Sequence, residues 1–304
     1  MTLLVAGWVA LDEIETPFGR IEGALGGSAS AAALAAALFT NVRLLAVIGE
    51  DFPHSERKKL EHRNIDLAGL TVEPGVTSRW GGRYHYDMNT RDTVYTELGV
   101  NAAWQPVLPT GWDSSEMAFL AAGDPVVQSR IIDSLSAPRL TMVDTIKYYI
   151  DTAPQALETT MASCDLVCIN ESEARELAKT PSIARAARSL LRPGTKGVLV
   201  KLGEYGAAYA SREDYFIAPG YPLEEVVDPT GAGDSFAGAV MGYLDSQTVI
   251  DRNAMRRAIL YGSTVASFQV EGFGAAPLLS LTRDAVERRY SEFIALTHIS
   301  GVGA

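Results

Sequence analysis

The chain has 304 residues, of which 47% are hydrophobic and 21% charged, a balance that lets it bury a large core without disulfide or metal staples. A formal net charge of -11 argues against nucleic acid or an anionic membrane as partner, since both reward clustered Lys and Arg. A small phosphorylated ligand stays allowed, because it responds to local rather than total charge.

TLLVAGWVA is apolar but has no basic leader and soon meets Asp12 and Glu13, so it reads as a first buried strand and not as a signal or a membrane span. EIETPFGRIE follows, then the small-residue helix GGSASAAALAAALF, entered through Gly26 and Gly27, and the strand VRLLAVIG. SRWGGRYHYD and DTVYTEL surround the turn-like MNTR and predict an antiparallel hairpin. With EIETPFGRIE this hairpin makes a small antiparallel β lid, near 13–22 and 78–98, grafted on one domain spanning 1–304.

Further along, the β-rich runs MAFLAA, RLTMV, DLVCI and GVLVKL alternate with the helical segments PVVQSRIIDSL, APQALETTMAS and IARAARSLLR. Such alternation predicts an α/β/α sandwich with a mostly parallel central sheet. Cys164 and Cys168 in SCDLVC match no zinc spacing and read as core cysteines of a reducing compartment, which makes the expected location cytoplasmic.

Open α/β sheets bind ligands outside the carboxyl ends of their strands. Asp12, Asp144, Asn170 and Lys201 stand at or near four such ends and together predict a cleft. EEVVDPTGAGDSFAGAVMGYL completes it. Phe236, Val240, Tyr243 and Leu244 follow helical spacing, so a helix begins at about Ala232. Its N-terminal N–H groups and dipole would face the cleft as an anion site, with glycines leaving room for a phosphoryl group. Asp234 has two readings: an acid in the first turn favoured by the dipole, or a general base for a hydroxyl that attacks the phosphoryl group.

Asp228-Pro229-Thr230-Gly231-Ala232-Gly233-Asp234 resembles the D-x-T-G-A-G-D signature of the ribokinase-like, or PfkB, carbohydrate kinases. Asn170-Glu171-Ser172-Glu173 is similar to that family's N-x-x-E, Lys201 to Gly206 to its K-x-G-x-x-G, and Gly26-Gly27 to its N-terminal signature. The resemblance covers nearly the whole chain and implies a ribokinase-like fold and an ATP-dependent kinase with Mg2+. By this resemblance Asp234 is the catalytic base, and Gly231, Ala232 and Gly233 form the anion hole. Asn170 and Glu173 organise the metal, Asp228 holds a monovalent cation such as K+, and Lys201, Gly203, Gly206 and Thr230 belong to the nucleotide. Asp12, Gly26, Gly27 and Ser28 hold the substrate. A homodimer through the lid is a further implication.

Plainer readings stand beside these. N-x-x-E is a capping-box variant, Gly203 and Gly206 suit a hairpin, Tyr84, Tyr86 and Tyr95 alternate as in a half-buried strand, and Gly238 and Gly242 suit close helix packing. The asparagine that family members often carry after the glycine pair is missing, which leaves Ser28 or Ser30 in its place. The preferred acceptor is a hydroxyl of a small sugar, with aromatic lid residues Trp80, Tyr84 and Tyr86 over it; the alternatives are a nucleoside, or a silent sugar- or nucleotide-binding regulator. A nicotinamide oxidoreductase lacks its G-x-G-x-x-G and a P-loop kinase its G-x-x-x-x-G-K-[ST]. His54, His62, His85 and His298 show no paired spacing for a metallohydrolase.

Overall fold

The computed structural model describes residues 2–61 and 64–297, so His62 and His298 lie outside the described residues. The strands are β1 (Thr2–Ala6), β2 (Ala10–Thr16), β3 (Gly19–Gly26), β4 (Asn41–Gly49), β5 (Ile65–Asp66), β6 (Leu70–Glu73), β7 (Ser78–Tyr84), β8 (Arg91–Glu97), β9 (Met117–Leu120), β10 (Leu140–Asp144), β11 (Leu166–Asn170), β12 (Gly197–Lys201), β13 (Ala207–Ser211) and β14 (Tyr215–Ala218). The helices are α1 (Ser28–Ala36), α2 (His54–Leu60), α3 (Pro125–Asp133), α4 (Lys147–Thr152), α5 (Pro154–Ala162), α6 (Glu171–Ala178), α7 (Ile183–Ser189), α8 (Ala232–Asp245), α9 (Arg252–Gln269), α10 (Ala276–Ser280) and α11 (Arg283–Thr297).

The main sheet runs β14-β13-β12-β11-β10-β9-β1-β4-β5, with β6 also paired to β4. From β12 to β5 every pairing is parallel; β13 and β14 close one edge antiparallel. Both faces are covered, so strand side chains alternate between two apolar layers. Leu3 and Val5 pack with residues of α1, α8 and α9, while Leu4 and Ala6 pack with residues of α3, α5 and α7. Helices α1 and α8 approach closely because Gly238 and Gly242 carry no Cβ. An added Cβ would lie 2.2 Å from Ala32 O and 2.7 Å from Ala36 Cα respectively. Cys164 and Cys168 are free thiols buried in this core.

TLLVAGWVA is not one strand. β1 stops at Ala6, the chain bends through Gly7 (φ 154°), and β2 starts at Ala10 in the second sheet. A Cβ on Gly7 would be 3.0 Å from Ala121 Cβ, so the crowded end of the main sheet forces the exit there. The second sheet, β3-β2-β7-β8, has antiparallel hairpins at its two sides and a parallel pair, β2 with β7, in its centre. The parallel pair follows from connectivity. β2 leaves the carboxyl end of β1, and β7 the carboxyl end of β6, so both enter the lid in the same direction.

The chain order reverses beside β1, whose neighbours are β4 and β9. That reversal opens a crevice at the carboxyl ends, where the lid and the start of α8 meet.

Candidate active site

Helix α8 begins after Gly231, which is left-handed (φ 75°, ψ -2°) and carries no side-chain cap. The turn directs the Ala232 N–H back to Pro229 O at 3.2 Å, whereas the Gly231 and Gly233 N–H groups have no protein acceptor among the described residues. Two open donors at a helix start are an anion site. Asp228 fastens the loop from beneath: buried, it accepts the Thr230 N–H and the Gly274 N–H, each at 2.9 Å. Gln269 holds the carbonyls of Thr230 and Gly274 at 2.9 and 2.8 Å.

Lys201, at the end of β12, reaches this loop. A Cβ on Gly233 would be 3.3 Å from Lys201 Nζ, so the glycine lets the ammonium stand against the helix start. Its other side is ion-paired with Asp144, whose side chain is 1% exposed. Burial pushes the Asp144 carboxyl up, against the pull of Lys201. Asp144 stood in the strand-end census, but its pairing with Lys201 was not legible because β11 lies between their strands.

Asp234 is half-buried in the first turn of α8. Burial pushes its carboxyl up to about 6; Lys201 and Arg91 pull it down and Asp144 adds repulsion. Asp12 faces the same cleft from β2. Burial pushes it up to about 7, the Gly27 N–H pulls the other way, and Asp234 and Asp228 repel. Gly26 is what admits Asp12, because a Cβ there would lie 2.0 Å from the carboxyl carbon. Gly27 takes φ 88° with its Cβ position 2.4 Å from Trp8 O, a site no side chain can fill. Ser28 is already engaged: its hydroxyl donates to Ala122 O at 2.7 Å and accepts the Trp8 N–H at 3.4 Å. Among the described residues the buried Ser30 hydroxyl has no partner.

Asn170 and Glu173 form a full capping box on α6. Asn170 Oδ1 accepts the Glu173 N–H at 2.9 Å and Glu173 Oε2 accepts the Asn170 N–H at 3.2 Å. The plain reading of N-x-x-E therefore holds locally. Glu173 also feels the charges of the neighbouring strand ends: burial raises its carboxyl to about 7, Lys201 pulls it down and Asp144 repels it. Among the described residues no three His, Cys, Asp or Glu side chains gather as a metal set.

A cavity of about 520 Å³ opens beside Lys201, a size suited to a mononucleotide. Gly203 and Gly206, in the turn between β12 and β13, wall it on one side, and Ala232, Phe236 and Val270 on another. The lid turn covers it with Tyr86 to Asn89, where Asn89 Nδ2–H donates to Glu204 at 2.9 Å. The lid also touches the loop, since Thr230 Oγ1–H donates to Tyr84 Oη at 3.2 Å. Neither lid contact had a signal in the sequence. His85, exposed on the lid, faces Asp92 at 2.9 Å rather than the cavity.

The chain is similar to known proteins. Residues 11–281 match the model of the pfkB family carbohydrate kinases. The cytidine kinase of Thermococcus kodakarensis is 31% identical over 250 residues, 80% of this chain and 88% of the relative. The deoxyribokinase of Salmonella typhi is 27% identical over 280 residues, 86% of each. The nucleoside kinase of Methanocaldococcus jannaschii, described as an archaeal member of the ribokinase family, superposes with a TM-score of 0.74 at 21% identity over 96% of this chain and 98% of that one, a likeness of fold. No helix among the described residues is long and apolar enough to cross a membrane. The chain belongs to the pfkB family of carbohydrate kinases, and it is an ATP-dependent phosphotransferase with an alcohol group as acceptor.

Proposed function

We propose that the chain phosphorylates a hydroxyl on the pentose of a nucleoside, with Asp234 as general base. The acceptor is a sugar or a nucleoside, and the nucleoside is favoured by the 31% identity to a cytidine kinase over 88% of that relative. The observation that carries the chemistry is the meeting of Asp12 and Asp234 in one cleft beside two open N–H donors and the Lys201 ammonium.

In this reading Asp12 accepts hydrogen bonds from pentose hydroxyls, in a slot that Gly26 and Gly27 keep open, with Ser28 bracing the wall. Asp234 takes the proton of the attacking hydroxyl. The Gly231 and Gly233 N–H groups donate to the phosphoryl oxygens, while Ala232 shapes the turn. Lys201, held in place by Asp144, balances their charge. Thr230 lies nearest the phosphates, and Gly203 and Gly206 shape the wall of the nucleotide cavity. Phosphoryl transfer passes through a loose transition state, so positioning and charge supply most of the rate and a weak carboxylate base suffices. A closed lid keeps water from competing with the acceptor.

Mg2+ fits the donor chemistry present. Glu173 Oε2 is taken by the capping box, and the carboxyl has no further hydrogen bond among the described residues, which leaves a hard oxygen for a metal-bound water, with Asn170 fixing its position. Bound Mg2+ supplies charge neutralisation to the nucleotide phosphates. Asp228 has both oxygens engaged by N–H groups, so a K+ at this loop would act as a second fastener. Turnover in KCl against choline chloride reads that role directly.

The lid's outward face carries Glu13–Arg20, Glu15–Arg83 and Arg79–Asp51 ion pairs. A homodimer through the lid is accordingly a polar contact, and its sedimentation should be salt-sensitive.

The test is an acceptor screen with Mg-ATP, setting cytidine, inosine and adenosine against ribose, deoxyribose and fructose. A nucleoside should give the highest kcat/KM. A free sugar preferred tenfold would move the assignment to the sugar reading that the deoxyribokinase likeness supports. Silence across the panel would favour a binding regulator.

A further inference from the structure

Arg91 opens β8 opposite Tyr84 in the lid hairpin. Its guanidinium lies over the Trp80 ring, 5.3 Å from the centroid. Trp80 in turn stands side by side with Asp12 across the parallel β2–β7 pair, so both share the face turned toward the cleft. Tyr84, four residues on from Trp80 and on the same face, takes a hydrogen bond from Arg91 and accepts another from Thr230 in the loop that starts α8. The arginine is thus bracketed by the acceptor-side carboxylate and the phosphate loop.

Its charge is felt at Asp12, Asp234 and Glu173. Yet among the described residues no carboxylate comes within ion-pair distance of Arg91, whereas Lys201 is tied to Asp144. Stacked on the Trp80 indole and hydrogen-bonded to the Tyr84 hydroxyl, the guanidinium is held in orientation with part of its fork still open. The N–H donors of the planar fork that Tyr84 does not take suit a tetrahedral or planar phosphoryl group.

We infer that Arg91 is a catalytic residue carried by the lid, which binds the phosphoryl group in transit and makes transfer wait for closure. The inference rests on the kinase reading above. In the step itself the bond between the γ-phosphorus and the bridging oxygen of ATP breaks, a bond from phosphorus to the acceptor oxygen forms, and the acceptor proton goes to Asp234. Arg91 exchanges no atom; it offsets charge on the equatorial oxygens. Because the group sits on the lid, an open lid removes it, which disfavours hydrolysis of ATP before the acceptor is enclosed.

Two measurements test this. Arg91→Ala should lower kcat on the order of 10³-fold, the low end for an arginine at a transferring phosphoryl group, with KM values changed only a few-fold. Arg91→Lys should recover part of the loss, and added guanidinium ion should rescue Arg91→Ala but not wild type. A binding readout needs no acceptor: wild type should hold Mg-ADP with aluminium fluoride more tightly than Mg-ADP alone, and Arg91→Ala should erase that difference while binding Mg-ADP normally. An Arg91→Ala protein that keeps the difference, or turns over within threefold of wild type, overturns the assignment. A wild type that binds no nucleotide would instead overturn the kinase reading, and this inference with it.

Discussion

Asn89, at the tip of the lid turn, donates its amide N–H to Glu204 at 2.9 Å, and so joins the lid to the turn that walls the cavity beside Lys201. The contact is exposed and lies outside the machinery assigned to the chemistry. Asn89→Ala and Glu204→Ala should each leave thermal stability within about 1 kcal/mol. Both should raise KM for ATP several-fold and increase acceptor-independent ATP hydrolysis. Coupled ADP-release assays with and without acceptor read both effects; unchanged leakage would remove the latch.

Asp234→Asn should cut kcat by about 10²–10⁴-fold while substrate affinity stays within a few-fold. Isothermal titration beside steady-state kinetics makes the separation. Near wild-type turnover would refute the base assignment.

The same carboxyl sets a pH profile. Its value in the fold, about 6, lies above the ordinary carboxylate range, so the ionised base is present above pH 6 and lost below it. kcat should therefore fall about tenfold per pH unit below that point. Asp12, raised to about 7 in the same cleft, should make KM for the acceptor fall as pH rises through 7. The two carboxyls repel each other, so the apparent values belong to the pair. A flat profile between pH 5 and 8 contradicts both roles.

Burying Asp12 also has a stability cost with a definite sign. Its folded value is above its unfolded one, so its contribution is fully favourable below pH 3.8 and is lost as pH rises through about 7. Asp12→Asn should be close to neutral at pH 4 and stabilising at pH 8 by about 2–4 kcal/mol. Denaturant melts at the two pH values show this. Equal effects at both would mean that the carboxyl stays solvated.

Two glycines should separate folding from function. Gly27→Ala puts a side chain at φ 88° and 2.4 Å from Trp8 O, and should destabilise by more than about 2 kcal/mol. Gly233→Ala meets only the flexible end of Lys201 at 3.3 Å, so it should fold normally and lose activity by displacing the ammonium. Circular dichroism melts and turnover together distinguish the two; a destabilised Gly233→Ala would deny the difference.

Local signals in this chain carried far. The short β-rich runs MAFLAA, RLTMV, DLVCI and GVLVK marked strands buried on both faces, because a parallel sheet covered by helices leaves no polar side. DPTGAGD located a helix start, because glycine and the absence of a cap are properties of the backbone itself. What adjacency in sequence cannot encode is which distant groups share a cleft. Asp144 meets Lys201 across an intervening strand, Thr230 meets Tyr84 from another sheet, and Arg91 stands over Trp80 only once the lid hairpin has its register. Those contacts come from the order of strands and the parallel entry of β2 and β7 into the lid. Long-range pairing set them, and so the tertiary structure alone decided which charges come together.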